Sequence, residues 1–231
     1  AAALDDNESG IKGKEDSVEL LDEYVFTYGQ LTYKVNNEQV TIVGCDEEAT
    51  EISIPAKIDG LPVVSIGKNA FWFSENLVNV EIAEGVTSIE EQAFYKCSSL
   101  INIEIPKSIT SIGQQAFAYC SSLISAEIPN GVDAIGEMTF AYCSSLTNIK
   151  IPESVTSIRE DAFYDCSSLI VAEIANGVKS MGEHVFSGCS SLINIKIPES
   201  VTSIGEGAFS ECISLTSIEI SANITEIRDS T

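Results

Sequence analysis

The sequence predicts a solenoid of stacked 23-residue coils, rich in β-strand and built on one continuous core. Three columns of residues carry that expectation. Phe71, Phe94, Phe117, Phe140, Phe163, Phe186 and Phe209 recur at one fixed interval without a slip. Cys97, Cys120, Cys143, Cys166, Cys189 and Cys212 keep the same interval, and so do Leu77, Leu100, Leu123, Leu146, Leu169, Leu192 and Leu215. A period in this range marks a repeat array, because one coil cannot bury its apolar face and needs a neighbour on each side.

Leu100 to Cys120 serves as the specimen coil. Its opening L-x-x-I-x-I alternates with period two, so Ile103 and Ile105 face one side while Asn102 and Glu104 face the other, as in a short strand. Pro106 lacks an N–H and ends that strand, as do Pro129, Pro152 and Pro198 in other coils. Ile109 and Ile112 follow at the helix-like spacing of three. Gly113 is expected to supply a turn, and Ala116-Phe117 to drive a ring inward on a short helical or 3₁₀ segment. Cys120 closes the coil. A slower rhythm of Gly85, Gly131 and Gly177 against Ser108, Ser154 and Ser200 implies a duplicated two-coil unit.

Apolar residues make up 44% of the 231, enough for a continuous core, and the unbroken repeat argues for one elongated domain. Lysine and arginine number 12 against 35 acidic residues, a net charge of −23. That field repels phosphate backbones and anionic lipid surfaces, which excludes nucleic acid as the expected partner. It either keeps a long solenoid soluble or attracts basic partners and divalent cations. No apolar run is long enough to cross a bilayer, so no membrane insertion is expected. Ala1-Ala2-Ala3 is either a signal-peptide remnant or a cloning boundary. The six periodic cysteines point the same way in adjacent coils, about 4.8 Å apart. Parallel Cβ vectors suit a disulfide poorly, so they are expected to form a buried thiol ladder. The paired C-x-x-C of a zinc site is missing. Cys45 falls off the interval and reads as an unrelated core or loop residue.

The motif Ile105-Pro106-Lys107-Ser108-Ile109-Thr110-Ser111-Ile112-Gly113, followed by Ala116-Phe117 and Cys120, resembles the BspA-like subclass of leucine-rich repeats, found in bacterial and some protist surface proteins. The resemblance covers about residues 46–227. It implies a leucine-rich-repeat solenoid of β-rich α/β class, with a parallel sheet on the concave side and short helical or 3₁₀ turns on the convex side. It further implies display outside the cell and a role in binding. Ser74 stands where the first periodic cysteine belongs, Glu90 and Arg159 replace the turn glycine, and Met181 replaces an isoleucine. The first coil carries extra residues over Ala56–Val63, containing Asp59-Gly60 and Pro62, which read as a protruding turn.

The expected organisation is a flexible acidic leader over 1–16, an N-terminal cap over 17–45, and the solenoid over 46–231 with about seven to eight coils. The cap combines a short helix over 17–26 with a hairpin over 30–43, turning at Asn36-Asn37. At the other end a new coil begins at Ile218 and stops at Thr231 without a cap, which reads as truncation. Asp5, Asn7, Ser9, Gly10 and Asp16 fall at EF-hand-like spacing. Lys12 and the missing entering helix argue for a plain acidic leader instead, and no metal or other cofactor is expected. Neither a nucleophile elbow nor a phosphate loop occurs, and His184 is the only histidine. The chain is therefore not expected to be an enzyme.

Two surfaces remain as candidate sites. The concave strip carries Asn79, Asn102, Ser125, Asn148, Val171, Asn194 and Ser217 beside Glu81, Glu104, Glu127, Lys150, Glu173, Lys196 and Glu219. From Glu127 onward the charges alternate in sign and are positioned to pair, leaving Glu81, Glu104 and Glu127 as an acidic end. This is either self-satisfied strand decoration or a polar strip for a peptide or glycan. An aromatic rim of Trp72, Phe73, Tyr95, Tyr119, Tyr142 and Tyr164 suits inter-coil packing, or sugar stacking and protein hot spots. The leading expectation is a monomeric, secreted or cell-surface recognition module for a protein or glycan. The alternative is a spacer that displays another domain away from the cell wall.

Overall fold

The computed structural model describes residues 24–220 and 223–227. Each coil runs along three sides of the solenoid. On the first side the alternating segments stack in parallel, in chain order, into an eight-stranded sheet. Its strands are Glu51–Ile54, Asn79–Ile82, Asn102–Glu104, Ser125–Glu127, Asn148–Ile151, Val171–Ile174, Asn194–Lys196 and Ser217–Glu219. Asn79 lies opposite Asn102, Asn102 opposite Ser125, and Asn148 opposite Val171, so the register matches the sequence repeat. The prolines act as anticipated. Pro106, Pro129, Pro152 and Pro198 each leave a carbonyl that accepts the N–H three residues on, turning the chain off the sheet.

The second side holds a parallel ladder that the residue pattern does not announce. Ser88–Ile89 pairs with Ser65–Ile66 before it and Ser111–Ile112 after it. From Ala134–Ile135 onward a separate five-stranded sheet continues to Glu226–Ile227. Ile112 therefore sits on a strand, not on a helical face. Two-residue strands are too short to display alternation, and their spacing from Ile109 mimics a helix.

The third side contains no helix or 3₁₀ segment among the described residues; it is a run of hydrogen-bonded turns. Two residues per coil adopt left-handed φ: Asn69, Gln92, Gln115, Met138, Asp161, His184 and Gly207 in one column, and Phe73, Lys96, Tyr119, Tyr142, Asp165, Gly188 and Glu211 in the other. A right-handed helix cannot contain such residues. What replaces the helical bonds is bonding between coils. Phe71 N–H donates to the Ala93 carbonyl at 2.7 Å, Phe94 to Ala116 at 2.8 Å, and Tyr119 to Ala141 at 2.8 Å.

Before the first coil, β1 (Phe26–Tyr28), β2 (Leu31–Asn36) and β3 (Gln39–Cys45) pair antiparallel, and β3 then joins Leu61–Ile66 in parallel. The hairpin turns at Asn37 and Glu38, one residue later than expected, with φ of 50° and 60°. Two left-handed residues are what a type I′ turn requires. Phe26, the last residue of the expected helix, opens a strand. Residues 17–23, the leader and its calcium-loop residues lie outside the described residues. The insertion in the first coil is a tight turn at Asp59 and Gly60, and Tyr33 donates its hydroxyl to the Asp59 carboxylate at 2.9 Å.

The core is a set of columns. The phenylalanine rings stack with centroids 4.9–5.9 Å apart and planes within 9° of parallel. Each buried ring contributes roughly 1.5–3 kcal/mol. The thiol column is present, free of disulfides and buried from Cys97 to Cys189, with Cys212 half-buried. It is more than a stack of small hydrophobes. Cys97 donates to the carbonyl of Phe71 at 3.0 Å, Cys120 to Phe94 at 3.1 Å, and Cys143 to Phe117 at 3.2 Å, and the pattern continues to Cys212. Cys45, off the interval in sequence, stands at the head of this column in space. Its sulfur lies 3.8 Å from the hydroxyl of Ser74, the residue in the first cysteine place.

The glycines also serve a different end from the one expected. A Cβ at Gly113 would come within 2.5 Å of the Glu91 nitrogen, and one at Gly205 within 2.4 Å of the Glu183 nitrogen. These positions allow close approach of the preceding coil and do not need unusual φ. The slow glycine–serine rhythm has a similar origin at Gly131 and Gly177, whereas Gly85 has open space around it and a left-handed φ of 106°. Ser108 and Ser200 donate to the carbonyls of Val86 and Val178 at 2.7 and 2.6 Å, while a Cβ at Gly177 would run into the Glu153 carbonyl.

Phe140→Ala is expected to cost about 3–5 kcal/mol through the cavity it opens between two rings. Glu137→Ala, at an exposed position in the same coil, is expected to leave the melting temperature nearly unchanged; equal melting of the two variants would remove the ring column from its structural role. A second expectation concerns pH. Burial pushes the Cys120, Cys143 and Cys166 thiols above their usual range, and Cys212 up to about 11. Raised folded values mean the folded chain keeps protons that the unfolded chain releases. Stability is thus complete below the ordinary thiol range and falls as pH rises through 9 toward and beyond those values. The urea midpoint should drop over that interval, and drop less in Cys143→Ser.

Candidate functional site

The outer face of the eight-stranded sheet is the first candidate. All the charged strip residues from Glu81 to Glu219 are exposed, and Asn102, Ser125 and Asn148 stand beside them, with Asn79 half-buried. Over the first four strands this face forms a groove of ≈ 720 Å³, lined by Glu51, Ser53, Asn79, Glu81, Asn102 and Glu104, among others. Asn79 donates toward Glu51 at 3.4 Å. Of the expected sign-alternating pairs, only Lys196–Glu219 closes, at 3.9 Å. Lys150 stays apart from Glu127 and Glu173, because two exposed long side chains gain too little from pairing to fix one geometry. Among the described residues Glu81, Glu104 and Glu127 form no ion pair.

The second candidate is the aromatic rim on the turn side. Trp72, Tyr95 and Tyr164 occupy the first place after the spine phenylalanine and Phe73, Tyr119 and Tyr142 the second, yet they form one continuous chain of contacts. Trp72 meets Phe73 at 4.2 Å, Phe73 meets Tyr95 at 6.1 Å, and Tyr95 meets Tyr119 at 5.4 Å. Tyr119 stacks on Tyr142 at 4.3 Å, and Tyr142 meets Tyr164 edge-on at 5.4 Å. Lys96, in the same set of positions, holds its ammonium 4.5 Å from the Phe73 centroid, 5.5 Å from Tyr119 and 5.7 Å from Tyr95. Trp72 is 52% exposed, and the tyrosines are half-buried. Inter-coil packing is therefore real here, and outer edges remain open.

Beside the rings runs a polar ladder that sequence reading missed. Gln92 donates to Gln115 at 2.6 Å, and Gln115 reaches the Met138 sulfur at 3.8 Å. Asp161 and His184 continue it with 4.0 Å between carboxylate and imidazole. Burial raises the Asp161 carboxyl, and His184 opposes that rise. The signal was available, since all these residues share one column, but their types differ too much to announce a motif. No cluster of histidine, cysteine and carboxylate with metal-binding geometry occurs among the described residues. No helix among them is long and apolar enough to cross a membrane.

The sequence matches the model for the BspA type leucine rich repeat region, in six copies, over residues 43–170 and 122–231. The chain belongs to the BspA-type leucine-rich repeat family. It is similar to the leucine rich repeat protein of T. pallidum, at 32% identity and a TM-score of 0.78, covering 83% of this chain and 91% of that one. It is also similar to a leucine rich cell surface protein of Faecalibacterium prausnitzii, at 32% identity and a TM-score of 0.73. That likeness covers 84% of this chain and 54% of the F. prausnitzii protein, so the chain spans about half its length. The pneumococcal vaccine antigen PcpA, 16% identical with a TM-score of 0.51 over 87% of this chain and 71% of its own, shares the fold. No curated protein matches the sequence.

The packing of the rim can be checked by titration. Burial pushes the Tyr142 hydroxyl up to about 12, with its ring neighbours and Asp165 adding to the rise. In a tyrosine-labelled NMR titration the Tyr142 signal should move only near that pH, and Tyr142→Phe should lose this late step alone. A Tyr142 signal moving at ordinary phenol pH would mean that the hydroxyl is not shielded as this packing requires.

Proposed function

We propose that this chain is a non-enzymatic recognition module, displayed outside the cell, that holds a protein or glycan ligand against its concave sheet. The reading is supported by the chain's family and by the cell-surface relative it resembles. One observation on the chain itself carries it. The two-coil rhythm of the charged strip places Lys150 and Lys196 at alternate coils, and the same rhythm would place lysine at 104. Glutamate stands there, between Glu81 and Glu127, inside the groove. Like charges opposite one another in adjacent strands oppose stacking. A surface evolved only for packing gains nothing from them, whereas a surface that meets donors or cations does. Rigid strands fix the spacing of these carboxylates and of the Asn79 and Asn102 amides, and so reduce the ordering lost on binding.

A spacer is the competing reading, and the uninterrupted core supports it equally. A screen against a glycan array and a panel of immobilised extracellular proteins separates the two. Recognition predicts a retained ligand that the triple variant Asn102→Ala, Glu104→Ala, Glu127→Ala releases at unchanged melting temperature. A spacer predicts no retained ligand and tolerance of deleting one two-coil unit.

A further inference from the structure

The aromatic rim stops abruptly, and where it stops there is a pocket. After Tyr164 the two ring-bearing places hold Ser187-Gly188 and then Ser210-Glu211. The space the next rings would fill is an open cavity of ≈ 490 Å³. Tyr142, Tyr164 and Met138 supply apolar walls, and Asp161, His184 and Glu211 stand at its polar side. That volume lies in the range of small-ligand pockets and accommodates one long side chain.

We infer that this pocket is a second binding site, separate from the concave groove, that receives a single lysine or arginine side chain of a protein partner. The argument rests on three observations. The chain already solves the same problem internally, because at the other end of the rim Lys96 lies among three rings at 4.5–5.7 Å. Ring faces attract cations through their quadrupole, and the attraction grows as the site is shielded from water. Next, two carboxylates, Asp161 and Glu211, line the pocket, and no lysine or arginine does. Finally, the place occupied by Lys96 in its own coil is occupied by Glu211 at this end, so no internal lysine is supplied, and the one basic group in the lining is His184, 4.0 Å from Asp161. A net charge of −23 adds a general pull on basic partners and a general push on acidic ones.

The test is an NMR titration of the ¹⁵N-labelled chain with the peptide Gly-Gly-Arg-Gly-Gly, with Gly-Gly-Gln-Gly-Gly and chitotriose as comparisons. The arginine peptide should shift the amides of Tyr164, His184, Ser187 and Ser210, and the glutamine peptide should not. Tyr164→Ser and Asp161→Gln install residues that the repeat already carries at 187 and 115, so both variants should fold. Each should weaken the peptide about tenfold, and Tyr164→Phe should bind like the unaltered chain. Glu153→Gln removes an exposed carboxylate that does not line the pocket and should have no effect. The proposal is overturned if the arginine peptide moves none of these amides at its highest soluble concentration. It is also overturned if Glu153→Gln weakens binding as much as Asp161→Gln, or if chitotriose shifts the pocket and the arginine peptide does not. None of these outcomes bears on the concave groove.

Discussion

Everything in this molecule depends on one register. Each coil must lie over the last with its phenylalanine ring above the previous ring, and that alignment decides where inward polar groups find their partners. The thiol of one coil meets the phenylalanine carbonyl of the coil before it. The Ser108 hydroxyl meets the Val86 carbonyl in the same way, and buried Ser65 meets the Glu90 carboxylate at 2.7 Å. None of these bonds is local. A shift of one residue would break all of them together and would also turn the alternating strands inside out. The period tolerates no slip for that reason. Among the described residues the hydroxyl oxygen of half-buried Ser154 is shielded from water without a partner, and the structure offers no account of it.

The same register accepts local strain. Non-glycine residues as large as Tyr119 and Met138 sit at positive φ, where an L-residue loses on the order of 1–2 kcal/mol. In exchange, alternate N–H groups on the turn side point along the solenoid axis and bond the neighbouring coil. A short helix would keep these N–H groups within its own coil and leave the third side of the stack unbonded. Strain is thus spread over every coil, and the inter-coil bonds that offset it exist only when neighbours are present.

These facts explain which features could be read from the residues. The columns of Phe, Cys and Leu, the proline-terminated strands and the hairpin after β1 were legible because each depends on residue type at a fixed spacing. The second ladder was not, since Ser111–Ile112 is too short to alternate. The turn side reads as helical because Ala116-Phe117 looks helix-compatible, and left-handed φ at Gln115 and Tyr119 leaves no trace in residue type. The position of Cys45 beside Ser74 is not legible, because spatial columns can be entered from outside the repeat. Of the candidate sites, the concave strip and the rim were legible as surfaces. The groove, the Lys96 arrangement and the cavity beyond Tyr164 needed coordinates, because each depends on side chains from several coils converging.

A repeat also turns function into a question of exceptions. Most side chains are explained once the coil is explained, so a site is best sought where a column departs from its own rule. The concave strip departs at Glu104, early in the stack, and the rim departs after Tyr164, late in it. The two departures lie on different sides of the coil, separated by a continuous core of rings and thiols. Carboxylates that form no ion pair among the described residues occupy the first coils of the sheet, while lysines enter the strip only from Lys150 onward. A ligand that spans several coils therefore meets a surface with a direction, although the fold beneath it is nearly uniform along the axis. Uniform stacking supplies rigidity, and the exceptions supply polarity; a partner must match both the spacing of the coils and the order in which their charges change.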